Sequence, residues 1–230
     1  MLQKQKSAMA PSTPTAPPRK ASREHRRLQL IEATIETIAA LGYSRTTLTA
    51  VAKTAKLSHG LVNFHFDTKD KLLAETLLHL AAEYRANWLA ALAGADPSPA
   101  AQVGAMLRAD FAPAICTPAK LSAWCAYWGE AQSRPLYQKS CESKDLERIR
   151  VLQTICKKLI SEGGYQLDPD RVARVLRVTL EGVWLDMMTL SKPYARAEAM
   201  RTVFTCAAAF FPQHFDGGGV VTPAKRIRRK

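Results

Sequence analysis

One stretch constrains this chain more than any other: residues 46–66, TTLTAVAKTAKLSHGLVNFHF. It divides into two short helical phrases around a break. In the first, Leu48, Val51, Ala52 and Ala55 recur at i, i+3, i+4 and i+7 and mark one face of a helix. Thr47, just before them, is placed to act as N-cap. In the second phrase Ser58 is the matching cap, and Leu61, Val62, Phe64 and Phe66 supply apolar anchors over about two turns. Lys56 and Leu57 leave room for a turn of about three or four residues, the length that joins the crossing helices of a DNA-binding helix–turn–helix. Ala52 keeps bulk out of the place where the two backbones would approach. The second phrase is polar on one side, through His59, Asn63 and His65, and Gly60 removes bulk near its start. Short donors and acceptors on the first turns of a helix suit the major groove. On spacing alone, an ordinary pair of amphipathic helices fits as well.

The pattern TT…A…A-x-L-S-x-G-L-x-x-x-H-F-x-x-K-x-x-L, from about Arg23 to Leu73, resembles the N-terminal domain of TetR-family repressors. That resemblance implies a double-stranded DNA operator as partner. Base edges would be read by His59, Gly60, Leu61, Asn63, Phe64 and His65, and phosphates held by Thr47, Thr49, Ser58 and Lys69. Lys69 also stands where a helix N-terminus attracts a phosphate. The chain departs from the family pattern at two positions. The turn position usually held by Gly is Lys56, where positive φ costs a side chain about 1 kcal/mol. Asn63 replaces the aromatic that usually touches a phosphate.

Charge agrees with a polyanion partner but is unevenly placed. The chain carries 33 Lys+Arg against 20 Asp+Glu, a formal +13. Residues 1–27 hold seven basic and one acidic residue, and residues 216–230 hold five and one, so the tails carry about three quarters of the excess. Such arms attract any polyanion by counterion release and specify no sequence. A helical protein that binds polyanions through its tails alone, with no enzymatic role, is therefore the alternative reading. No stretch reaches 18 apolar residues and no apolar core follows Lys4 and Lys6, so we expect a cytoplasmic protein without membrane contact. The five cysteines are odd in number and lack a CxxC spacing, so neither a disulfide frame, a metal site nor a cofactor is expected. GxSxG, P-loop and HExxH motifs are missing too, which points away from an enzyme.

Along the chain the expected architecture is all-α. Residues 1–22 read as a disordered basic tail. A helix starts near Ser22 or Arg23 and runs to Leu41, closed by Gly42. Arg23, Arg26 and Arg27 at its start are placed either to meet DNA phosphates and the adjacent minor groove or to form a solvated face. It completes a three-helix DNA-binding domain over 23–68. A long fourth helix, 69 to about 92, would bridge to a helical ligand-binding and dimerisation domain over 69–215, followed by a second disordered basic tail over 216–230. Further helices are expected at 100–116, 120–133, 136–162, 170–190 and 196–211, with Pro113 kinking or ending the first of these. No alternating stretch argues for a strand.

In the second domain Trp124, Tyr127 and Trp128 share a helix, Glu130 follows them, and Trp184 stands on a later one with Glu181 and Asp186 near it. Aromatic faces with a carboxylate can hold a quaternary ammonium; they can equally be core. The segments LSAWCAYWGEAQSRPLY, RVTLEGVWLDMM and AAAFFPQHF resemble the C-terminal domain of betaine-pathway repressors of the BetI type, a TetR subgroup. The resemblance implies a small-molecule effector, choline or its aldehyde, that releases DNA; a TetR-type regulator of another pathway with an unrelated ligand is the alternative. Two wide stripes, Val172 to Met187 and Met200 to Phe211, are expected to join two copies into a homodimer, whose paired recognition helices would read a palindrome.

Overall fold

The structure, a computed structural model, describes residues 19–129 and 134–221. Helix α1 spans Arg19–Leu41, starting a few residues before the predicted Ser22 or Arg23, and ends where Gly42 takes φ +82 and donates its N–H to Ile38 O. Helices α2 (Leu48–Ala55) and α3 (His59–His65) begin as their caps dictate. Thr47 Oγ1 accepts from Ala50 N at 3.1 Å and Ser58 Oγ from Leu61 N at 3.2 Å. Between them Lys56 adopts φ 54 and ψ 42, the one non-glycine residue at positive φ among those described, and its N–H closes on the carbonyls of Ala52 and Lys53. The left-handed turn expected at that lysine is present. Thr68 then caps α4 (Lys69–Ala93) by accepting from Lys71 N at 3.2 Å.

The remaining elements are α5 (Pro99–Ala109), α6 (Pro118–Gly129), α7 (Arg134–Gly163), α8 (Pro169–Thr189), α9 (Arg196–Phe210), β1 (Phe215–Asp216) and β2 (Gly219–Val220). Helix α5 stops well short of the expected 116. A proline ring clashes with the carbonyl four residues earlier, and for Pro113 that is Ala109, the last residue of the helix. Pro169 opens α8, with Asp168 Oδ1 accepting from Asp170 N and Arg171 N.

The architecture is all-α as expected, with one correction at its C-terminal end. Residues 216–220 are not part of a tail. Phe215 pairs with Val220 and Asp216 with Gly219 in an antiparallel hairpin. Asp216 Oδ1 accepts from Gly218 N and Gly219 N, and Gly219 takes φ +134. Phe215 is buried and stacks on Phe204 at 6.2 Å. The Asp-Gly dipeptide was the available signal for this turn. The basic residues 222–230 and 1–18 lie outside the described residues.

Two apolar cores share their walls. Leu30, Ile31, Val51, Ala52, Val62, Phe66 and Leu72 form the small one under α2 and α3. The large one gathers α4 to α9 and also takes Ile35 and Ile38 from α1. Helices α1 and α4 therefore belong to both cores. Among the described residues no helix is long and apolar enough to cross a membrane.

Candidate functional sites

The outward face of α3 is built by its period. Val62 and His65, three apart, turn inward, which leaves His59, Gly60, Asn63 and Phe64 exposed and Leu61 half-buried. Phe64, expected as an apolar anchor, is 64% exposed. Thr47, Thr49 and Ser58 are exposed beside it, and Thr49 Oγ1 lies 3.4 Å from His59 Nδ1, tying the starts of α2 and α3. His65 needs correction: at 7% exposure it cannot present its ring outward. The ring packs edge-on to Phe64 and near Phe66, and burial, with Arg23 and Arg27 adding repulsion, holds its pKa below 6.5.

The basic groups nearby divide. Arg27 is engaged within the fold, paired with Glu75 of α4 and lying 4.8 Å over the Phe66 ring. Arg23 leans over the exposed Phe64 ring at 5.4 Å, and Arg26 is exposed with a bond to Gln29. Lys69 is half-buried at the N-terminus of α4. Its Nζ donates to Ser44 O at 2.9 Å and to Tyr43 O at 3.4 Å, over the Tyr43 ring, so it ties α4 to the α1–α2 turn.

The second site is a cavity of about 340 Å³ bounded by α4, α6, α7 and α8. Trp124 and Trp128, four apart on α6, face it together. Trp128 is stacked between Trp124 at 6.0 Å and Trp184 of α8 at 6.4 Å. Tyr84 of α4 meets Trp124 and Trp184 edge-on at 6.2 and 5.9 Å, completing a four-ring box. Asp145 and Arg148 of α7 and Arg177 and Glu181 of α8 add charge to the wall. Arg177 Nη1 donates to Glu181 Oε1 at 2.5 Å.

Behind the box, Arg148 Nη2 bonds Asp110 Oδ2 at 2.5 Å, with both side chains buried, and the Arg148 guanidinium lies 5.5 Å from the Tyr84 ring centre. Burial pushes the Asp110 carboxyl up against the pull of Arg148, and pushes the Tyr84 hydroxyl well up, so that hydroxyl stays neutral. Arg148 Nε and Trp184 Nε1 are buried without a hydrogen-bond partner among the described residues, so this wall is not fully satisfied internally.

Of the sequence-expected ligand residues, the fold brings together Trp124, Trp128 and Trp184. Tyr127 is corrected. Lying about 100° round α6 from Trp128, it is fully buried on another face. Its hydroxyl donates to Leu73 O at 2.7 Å and its ring meets Tyr43 edge-on at 5.4 Å. Glu130 lies outside the described residues; the carboxylates at the box are Asp145 and Glu181. Sequence reasoning missed Tyr84, which read only as part of the α4 stripe. Asp145, Arg148 and Arg177 carried no pattern that could mark them.

The apolar stripes expected to join two copies are also corrected. Val172, Leu176, Leu180, Val183 and Trp184 of α8, with Val203, Phe204, Ala207 and Phe211, are buried in the chain's own core. The apolar residues left on the open face of α8 are Val175, Val178 and Leu185, with Gly182 between them.

Comparison with known proteins finds relatives of both halves of the chain. Residues 30–76 match the family described as bacterial regulatory proteins, tetR family, and residues 99–212 match the family described as BetI-type transcriptional repressor, C-terminal. The HTH-type transcriptional regulator BetI of Burkholderia thailandensis is 30% identical over 189 residues, covering 80% of this chain and 92% of that protein. A transcriptional regulator from Pseudomonas aeruginosa has a similar fold, with TM-score 0.68 and 25% identity over 82% of this chain and 91% of its own. So does a regulator from Saccharomonospora viridis solved in complex with choline, with TM-score 0.69 and 16% identity over 84% of this chain and 98% of its own.

Proposed function

Because the chain belongs to the TetR family of bacterial transcriptional regulators and carries a BetI-type repressor C-terminal domain, we propose that it represses transcription by binding a palindromic operator as a homodimer and releases it when a quaternary ammonium enters the aromatic box. The observation that carries this reading is the box itself. Rings of Tyr84, Trp124, Trp128 and Trp184 line one cavity with Asp145 and Glu181 on its wall. A methylated ammonium is attracted by ring faces and needs no hydrogen-bond acceptor, and such contacts contribute about 0.5–2 kcal/mol each. Choline, which the S. viridis regulator binds, and betaine aldehyde are the first compounds to try.

At the other end, residues 23–68 form the DNA-binding unit. His59, Gly60, Asn63 and Phe64 read base edges with Leu61 at their margin, while Thr47, Thr49, Ser58 and Lys69 position phosphates. Residues 69–215 hold effector and partner. The protein acts by binding, without catalysis, in the cytoplasm. Helix α6 connects the sites: Trp124 and Trp128 face the cavity, and Tyr127 on the same helix holds Leu73 of α4 and the Tyr43 ring at the α1–α2 turn. An effector that binds better when α6 is displaced shifts the population away from the DNA-competent form. A second copy docks on the open face of α8, where Gly182 lets two helices cross closely between Val178 and Leu185.

Footprinting of the DNA upstream of the protein's own gene, at physiological salt, tests the reading. The expected result is two protected half-sites about 34 Å apart that vanish on adding choline or betaine aldehyde. Protection that persists with both compounds removes this effector class; salt-sensitive smearing without half-sites removes the repressor.

A further inference from the structure

The aromatic box has a neighbouring cavity. A second cavity of about 230 Å³ lies beside it between α7 and α8, and Ile149 and Arg177 line both. The sign of the wall changes across Arg177. On the box side Asp110 pairs with Arg148 from behind and Glu181 pairs with Arg177, with Asp145 also on the wall. Beyond it, Arg174 and the shared Arg177 face only Asp170. Arg174 and Arg177, three apart on α8, share a side of the helix. Arg177 gives one nitrogen to Glu181, yet a guanidinium carries five N–H donors in a fork suited to a carboxylate or phosphate. Among the described residues Arg174 has no ion-pair partner within 4.0 Å.

A cation in the box meets Asp145 and Glu181, while the second cavity carries two arginines against one carboxylate. An anionic tail on the same molecule would meet that excess positive charge while the ammonium stays among the rings. We propose that the effector is a zwitterion: a quaternary ammonium held by the four rings, joined by a short chain to a carboxylate or phosphate that Arg177 and Arg174 hold in the second cavity. This rests on the quaternary-ammonium reading of the box and narrows it.

Tryptophan-fluorescence titrations of the full-length protein with choline, carnitine and phosphocholine, repeated in Arg177→Gln and Arg174→Gln, test it. The expected result is at least tenfold tighter binding of carnitine or phosphocholine than of choline. Whichever is tighter identifies a carboxylate or a phosphate tail. In Arg177→Gln the zwitterions should lose tenfold or more while choline holds or gains, because Glu181 is freed to face the cation. Arg174→Gln, an exposed change that leaves the box untouched, should weaken the zwitterions severalfold and choline not at all. Choline binding as tightly as both zwitterions overturns the proposal and leaves the box reading standing. So does an equal loss of choline and zwitterions in Arg177→Gln, or zwitterion affinity unchanged in both variants. If none of the three compounds binds, the box reading falls with it.

Discussion

The two ends of this molecule are built on different principles. The α3 surface comes from one short segment whose caps and turn are satisfied within it, while its buried face packs on Leu30 and Ile31 of α1 and Leu72 of α4. Thr47 and Ser58 cap the helices that follow them, and Lys56 closes on carbonyls three and four residues back. The aromatic box draws Tyr84, Trp124, Arg148 and Trp184 from four separate helices and rests on a buried ion pair between residues 110 and 148. The small body is held by local hydrogen bonds over a compact core. The large one is held by long-range packing and keeps a cavity and unpaired donors inside it. Under the proposed function this division has a use: a reading head that keeps its shape, and a sensor whose packing is incomplete until something fills it.

Four changes would break or sharpen that contrast. Removing one member of the buried pair should have the largest effect. Arg148→Met leaves Asp110 buried without its counter-charge and should lower the unfolding free energy by about 3–5 kcal/mol in denaturant titration. The double variant with Asp110→Leu should recover most of it. If Arg148→Met is neutral, the sensor does not depend on its ion pair. Next, His59→Ala and Asn63→Ala should each reduce discrimination between operator and scrambled DNA by about 1–3 kcal/mol, with no change in the tryptophan-fluorescence response to choline. An altered response would show that the two ends are less separate than their construction implies.

A smaller effect of opposite sign is expected at the turn. Lys56→Gly relieves a left-handed backbone and should raise stability by about 1 kcal/mol, read as a higher midpoint for the DNA-binding domain. A loss instead would mean that the glycine's greater unfolded freedom dominates. The smallest effect concerns pH. His65 is held below its ordinary 6.5 by burial, so the folded state favours the neutral ring. The stability that neutrality contributes is present above pH 6.5 and is lost as pH falls through the lower folded value. Melting of the DNA-binding domain between pH 7 and 5 should therefore show a modest decline, and His65→Gln should flatten it.

Much of the reading head was legible without coordinates, down to the left-handed turn at Lys56, because capping and helical period act within a few residues. His65 escaped because α3 is too short for its apolar period to be unambiguous: His65 follows Val62 by three positions and Phe64 by one, and only packing shows which way it turns. The sensor was legible in part. Trp124 and Trp128 are four apart and had to share a face, whereas Tyr127 could turn toward the cavity or away from it. It turned away because Leu73 O and the Tyr43 ring were there to receive it.

What the sequence by itself determined is the family, the all-α class, the helix–turn–helix and most helix ends, since prolines, caps and glycines act on their own backbone. Tertiary structure decided which of the apolar faces of α8 enters the core and which stays open at Val175, Val178 and Leu185. It also decided that Tyr84 and Arg148, 64 residues apart, would meet at one wall. The reason is that periodicity tells which side of a helix is apolar but not what it packs against. Partner choice is settled by the shape and charge of surfaces that exist only once the chain has folded.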